Sequence, residues 1–375
     1  MKILFVAAGS FGRNASFIRA AALGGELQRA GHDPVFCLTE AADTRALLEQ
    51  HGVAQKCVWV PTRNPLDFVR RASLFADVEF VHLINANLAG EMLGMRLRRG
   101  GARVVSDWDE WLSRVPSGAG LRWQRLGMEF LARRISAAFV FSSSYLQSEY
   151  RPFLGRRPNA YIPYGLNMSG AVIGGAAARW LRAGRGYAMY LGSLHEQYRE
   201  DLQELILLAR SCSELDLDLV VAGDGSERTW LESELTKVLP GGRVVFTGQL
   251  SIPELDGLVA EPSVRLSFLP LKDTMQNRCR CPNKLFHYIK GGKPVVTNRV
   301  GEPGILLGDL GHYYTYADPA SLTAAVRGSL EHPPRYALED FSWARRAATY
   351  VQFLEDNFGG SSLSRSSKVP SVLST

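Results

Sequence analysis

The densest chemistry in this 375-residue sequence lies between Arg278 and Glu302, in the stretch RCRCPNKLFHYIKGGKPVVTNRVGE. Pro282 fits the first position of a helix, where its missing N–H costs no hydrogen bond. Lys284 to Ile289 continue that helix, and Gly291-Gly292 stop it before a buried strand opens at Pro294-Val295-Val296. A helix that starts beyond a parallel strand points free N–H groups outward and attracts anions. Arg278, Arg280 and Lys284 crowd the same end. Charge-assisted contacts from such a group suit a diphosphate.

Other constellations are weaker. The five cysteines (Cys37, Cys57, Cys212, Cys279 and Cys281) are odd in number and form no framework, which points to a reducing compartment. Cys279-Arg280-Cys281 lacks the second ligand pair that a zinc site needs, so it is not read as a metal site. Asp216-Leu217-Asp218 leads into a strand interior, and no GxSxG elbow marks a hydrolase nucleophile. The formal charge of +6 is spread over scattered arginines with no basic run. That favours anionic ligands or an anionic membrane over a nucleic-acid reader.

The elements around these residues alternate strand and helix. Lys2–Ala8 reads as a buried strand, Gly9-Ser10-Phe11-Gly12 as a turn, Ser16–Ala30 as a helix and Pro34–Thr39 as a second strand. This βαβ opening predicts a parallel sheet with right-handed crossovers. Strands at Phe80–Ile84, Arg103–Val105, Ala137–Phe141 and Tyr161–Pro163 continue the pattern, with helices at Pro65–Phe75, Gly90–Arg99 and Leu121–Ile135. A Gly/Ala-rich stretch, 169–186, reads as a linker. Strands at Tyr187–Gly192, Leu217–Ala222, Val244–Thr247 and Val264–Leu269 then repeat the alternation, and Ser342–Asn357 is a last helix. With 46% hydrophobic residues, two cores are affordable. The expected organisation is 1–168 as a first α/β domain, 187–340 as a second, 341–358 as a terminal helix and 359–375 as a disordered tail. The apolar start MKILFVAAG is read as a strand rather than a signal peptide, and no run is long enough to span a bilayer. A cytoplasmic location is expected. Leu121–Ile135 is apolar on one face and Arg-rich on the other. It suits a sheet-covering helix, or peripheral contact with an anionic membrane.

Several pieces, in order, resemble the retaining nucleotide-sugar glycosyltransferases of the GT-B fold, the group 1 or family 4 type. They are Tyr190-Leu191-Gly192-Ser193-Leu194, Val220-Val221-Ala222-Gly223-Asp224-Gly225, Val245-Phe246-Thr247-Gly248, Pro282-Asn283-Lys284-Leu285-Phe286-His287-Tyr288 and Gly292-Lys293-Pro294-Val295-Val296, followed by Phe341-Ser342-Trp343. The resemblance implies two doubly wound, Rossmann-like α/β domains facing each other across a cleft, with the C-terminal helix crossing back to the first. It implies a nucleotide sugar as substrate, an acceptor that is a small molecule, glycan or lipid-linked group, and no metal or other cofactor. Arg199, Arg280 and Lys284 are then expected on the donor diphosphate. Gly192, Gly223, Gly248, His287, Gly301 and Glu302 are expected around the donor nucleotide and sugar. His82 and Asp107 are the catalytic candidates, with Gly12, Asn85, Asn87 and Trp108 on the acceptor side. Two positions depart from the family pattern. Cys279 and His287 stand where it places glutamates that touch the sugar and the ribose. An inactive sugar-nucleotide-binding subunit and a nucleotide-sugar epimerase therefore remain as alternatives.

Overall fold

The computed structural model describes residues 1–9, 15–114, 118–168 and 179–359. A seven-stranded sheet is built from β1 (Lys2–Ala7), β2 (Asp33–Thr39), β3 (Cys57–Val60), β4 (Phe80–Ile84), β5 (Arg103–Trp108), β6 (Ala138–Phe141) and β7 (Asn159–Tyr161). Its helices are α1 (Ala15–Arg29), α2 (Ala42–Gln50), α3 (Pro65–Val69), α4 (Leu88–Arg98), α5 (Ala119–Ile135) and α6 (Ser144–Leu154). A six-stranded sheet follows, from β8 (Gly186–Leu191), β9 (Leu217–Ala222), β10 (Val244–Gly248), β11 (Val264–Leu269), β12 (Val295–Thr297) and β13 (His312–Tyr313). Its helices are α7 (Arg199–Glu214), α8 (Arg228–Val238), α9 (Ile252–Ala260), α10 (Met275–Cys279), α11 (Asn283–Lys290), α12 (Glu302–Leu307) and α13 (Pro319–Glu331), and α14 (Trp343–Phe358) closes the chain.

Every strand pairing in both sheets is parallel. The cause is in the strand sequences. KILFVA, FVHLI and LDLVVA are apolar or buried at nearly every position, which only a sheet covered on both faces can use. The strand orders β3-β2-β1-β4-β5-β6-β7 and β10-β9-β8-β11-β12-β13 each reverse direction once, between β1 and β4 and between β8 and β11. At such a switch the loops part in opposite directions and leave a crevice beyond the strand ends.

Two chain crossings join the halves. Leu166 donates its N–H to the Phe341 carbonyl at 2.7 Å, and Trp343 donates to the Leu166 carbonyl at 3.1 Å. Gly165 permits this approach, because a Cβ there would stand 3.0 Å from the Trp343 backbone nitrogen. Helix α14 then packs on α1, and Ala347, Tyr350 and Leu354 enter the first core.

Boundaries differ from expectation in several places. The helix read over Pro65–Phe75 is α3 followed by a separate 3₁₀ turn, Ala72–Phe75. Helix α2 and the two-residue strand β13 were not anticipated. Helix α10, Met275–Cys279, was not anticipated either. Pro282 is the residue before the first turn of α11 rather than within it. Most of the stretch read as a linker and nearly all of the tail lie outside the described residues.

Glu91 on α4 is fully buried, and neither carboxylate oxygen meets a hydrogen-bond partner. Burial raises its pKa from 4.5 to about 8. The folded chain therefore binds a proton that the unfolded chain releases, and stability falls as pH rises from 4.5 through about 8. Glu91→Met should remove this slope and stabilise the protein at pH 7.5 by on the order of 2 kcal/mol. Urea unfolding checks it; an unchanged midpoint would mean that the carboxylate keeps its water.

Candidate active site between the two sheets

Three strand ends of the second sheet converge through glycines. Gly192 donates to the Ala222 carbonyl at 3.0 Å, and Gly223 to the Gly248 carbonyl at 2.9 Å. Gly223 has φ +145°, and a side chain on it would strike the Gly192 carbonyl oxygen at 1.9 Å. Gly192, Gly223 and Gly248 thus close the ends of β8, β9 and β10 with bare backbone. Lys284 stands over this cradle. Its Nζ lies 3.0 Å from where a Gly192 Cβ would be and 4.6 Å from the Tyr190 ring centroid. Tyr288, one turn along α11, fixes the helix by accepting from Leu191 N at 2.7 Å. Burial lowers the Lys284 pKa to about 8, with Asp201 opposing and Arg280 assisting.

Arg280 lies over the Tyr198 ring at 5.6 Å, and its Nε is buried without a hydrogen-bond partner. Two other arginines are occupied. Arg278 is exposed and paired with Asp273 at 2.5 Å. Arg199 is paired with Glu227 at 2.5 Å and stacked on Trp230 at 4.2 Å, so its charge is directed onto its own helix pair and not into the cradle.

Three further expectations on this side change. His287 gives Nδ1 to Asp256 at 2.7 Å, where Lys290 also binds, so only Nε2 remains to meet a ligand. Glu302 is 0% exposed. It accepts from Ser144 N at 2.6 Å and Ser144 Oγ at 2.9 Å, and also from Tyr161 Oη. These partners belong to the first domain, so Glu302 binds domain to domain and offers no oxygen to a donor. Gly301 has φ +58°, and a Cβ there would meet the Asn277 carbonyl at 2.6 Å. Its missing side chain permits close passage under α10.

In the first sheet, Asp107 Oδ2 accepts from Arg19 Nε at 2.8 Å and meets His82 Nε2 at 3.2 Å. His82 Nδ1 meets Tyr350 Oη of α14 at 2.9 Å. His82 is fully buried with both ring nitrogens engaged, so it positions Asp107 and α14 and does not reach the cleft. Arg19 also donates to the Pro163 carbonyl at 3.1 Å. Burial alone would raise the Asp107 pKa, but Arg19 and His82 reverse that and hold it low. Asp109 is the opposite case, raised chiefly by burial although Ser16 Oγ at 2.5 Å and Tyr164 Oη at 3.0 Å donate to it.

The acceptor-side candidates divide. Asn85, with φ +55°, donates to Ser16 Oγ at 2.7 Å and holds the loop after β4. Asn87 caps α4 by accepting from Gly90 N at 2.8 Å, an N-terminal capping role. Trp108 is 1% exposed and packs on Tyr150 with ring centroids 4.6 Å apart, so it is core and no stacking platform for a sugar. Gly12 lies outside the described residues.

Sequence reading did not single out Arg19 or Glu110. Arg19 is the lone cation in the apolar run SFIRAAALGG, which is a legible signal. Glu110, Trp111 and Arg114 of the first domain face Met275, Gln276 and Cys279 of the second across a cavity of about 20 Å³. Glu110 has its pKa raised, mainly by burial and next by Asp109, with Arg280 and Arg125 opposing. Among the described residues no cluster of three His, Cys, Asp or Glu side chains is arranged to hold a metal.

Two parallel sheets, a crevice beyond their strand ends and a C-terminal helix returning to the first domain define the GT-B fold. The chain matches solved structures of that fold along nearly its whole length. HepE of Anabaena in complex with UDP and glucose is 14% identical, with TM-score 0.71, covering 95% of this chain and 100% of that one. Sucrose-phosphate synthase from Thermosynechococcus elongatus is 16% identical, with TM-score 0.70, covering 96% and 100%. The lipopolysaccharide outer core galactosyltransferase WaaB is 13% identical, with TM-score 0.64, covering 95% and 99%. No curated protein matches the sequence. Residues 185–332 match the family model for glycosyl transferases group 1. The likeness to the group 1 glycosyl transferases is thus carried by the second domain.

Proposed function

We propose that the protein transfers a sugar from a UDP- or GDP-type donor to an acceptor hydroxyl, with retention of anomeric configuration. The donor lies on the second domain and the acceptor on the first. The observation that carries this reading is the Lys284 ammonium set over the side-chain-free ends of β8 and β9. A diphosphate there finds no side chain to exclude it at the strand ends and meets the first turn of α11 and one cation, and Arg280 adds a second. In the transfer, the bond from the anomeric carbon to the diphosphate oxygen breaks and one to the acceptor oxygen forms on the same face. The acceptor proton passes to the departing diphosphate. Lys284 and Arg280 stabilise the negative charge that develops on that group. HepE is known in complex with UDP-glucose, which makes a UDP sugar the first donor to try.

Cys279 stands where the resemblance implies a carboxylate, and Glu110 enters the same cavity from the opposite domain. In this reading Glu110 supplies the carboxylate that position 279 lacks. Glu110→Gln should lower kcat roughly 10- to 100-fold with little change in donor KM. The wild-type rate should fall as pH drops through a value above the ordinary carboxylate range, because the ionised form is required. Equal kcat in the variant would remove Glu110 from the reaction.

A panel of sugar nucleotides tests the function as a whole. Slow release of nucleoside diphosphate, speeded by an acceptor, supports transfer. Donor binding without release or transfer supports an inactive subunit, which the buried Cys279 and the Asp256-bound His287 favour as second reading. Interconversion of free sugar nucleotides would mean an epimerase.

A further inference from the structure

Helix α5 is only half used by the fold. Its buried residues, Glu129, Ala132 and Ile135, all lie in its C-terminal half. Residues Ala119 to Gln124 are exposed, as are Leu121 at 45%, Trp123 at 74% and Phe130 at 59%. Trp123, Leu126 and Phe130 follow helical spacing along one stripe. Ala119, Arg122, Trp123 and Leu126 line an open groove of about 410 Å³. Phe153 of α6, 49% exposed, extends the patch. Arg134 lies over Phe130 at 5.9 Å and Arg133 over Phe153 at 5.5 Å.

The charge on this face has one sign. Helix α5 carries Arg122, Arg125, Arg133 and Arg134. Its single acidic residue, Glu129, is buried and consumed by Ser113 at 2.7 and 2.8 Å and by Tyr150 at 3.1 Å. The exposed acid of α6, Glu149, lies towards Cys279 of the second domain. No helix among the described residues is long and apolar enough to cross a membrane. A helix with Trp, Phe and Leu outward and arginines as its only charges at the rim fits the headgroup layer of an anionic bilayer, lying in its plane.

We infer that the outer face of α5, with Phe153, docks the protein peripherally on an anionic lipid surface. This inference is independent of what the cleft transfers. Co-sedimentation of the full chain with vesicles of phosphatidylglycerol and phosphatidylcholine, against phosphatidylcholine alone, tests it. The protein should pellet with the anionic vesicles only, and salt should release it. Trp123→Ser with Phe130→Ser should reduce binding about tenfold or more at an unchanged melting temperature. Arg122→Gln with Arg134→Gln should weaken it roughly fivefold per charge. Absence of binding to anionic vesicles at low salt would overturn the inference, as would binding that ignores both variants. A vesicle-free dimer that the Trp123/Phe130 pair of substitutions dissolves would also overturn it, by giving the face to a second copy of the chain.

Discussion

Lys284→Met should weaken nucleoside diphosphate binding roughly 10- to 100-fold, the worth of about 1.5–3 kcal/mol for a hydrogen bond to a charged group. The ligand-free protein should remain at least as stable as wild type. Lys284 sits over the Gly192 turn in a partly buried position, with burial holding its pKa near 8. A lysine whose folded pKa is depressed costs stability. That cost is complete below about 8 and is relieved as pH rises from there through the ordinary value of 10.5. Methionine keeps the length and removes the cost. For binding the sign is opposite. Only the protonated lysine attracts the diphosphate, so wild-type affinity should decline above pH 8 and the variant should lack that decline. Calorimetric titration with UDP and GDP across pH, beside urea unfolding, separates the two effects. Equal affinity in variant and wild type would move the phosphate site elsewhere.

Arg19→Met should destabilise the protein by about 3–5 kcal/mol, because it strands a buried carboxylate. Arg19 is 0% exposed, and Asp107 Oδ2 depends on it at 2.8 Å. His82 would remain as the one partner of that oxygen. The variant should recover stability as pH falls, since Asp107 is then neutralised. Arg19→Lys should rescue little, because the guanidinium bonds Asp107 and the Pro163 carbonyl from two different nitrogens. Adding Asp107→Asn to Arg19→Met should restore part of the loss. Strict additivity in that double-mutant cycle would contradict the coupling.

The alternation of apolar strands and amphipathic helices was legible because parallel sheets write themselves as continuous apolar runs. The glycines of the cradle were legible too, since Gly192, Gly223 and Gly248 each stand at or just beyond a strand end and Lys284 lies in the first turn of a helix. The first-domain candidates were harder for a physical reason. His82 is the third residue of β4, and what covers it is Tyr350, which lies 268 residues later on α14. Strand periodicity assigns a face but not the element that returns to cover it. Trp108 follows Asp107 on the alternate face, and that face is core. Glu302 reads locally as a helix-start carboxylate near the donor. Only the approach of Ser144 and Tyr161 from the other domain shows it to be a tie between domains. Arg199 has a basic side chain in the expected place, yet Glu227 at the start of α8 claims its charge.

Hydrogen–deuterium exchange of the wild-type chain with and without saturating UDP or UDP-glucose locates the donor on the backbone itself. Protection should increase together at Gly192–Ser193, at Gly223–Gly225 and in the first turn of α11 from Asn283, and Lys284→Met should reduce it at the same nucleotide concentration. Protection confined to the first domain, or none at any nucleotide concentration, would contradict the assignment of the second-domain cradle as the donor site.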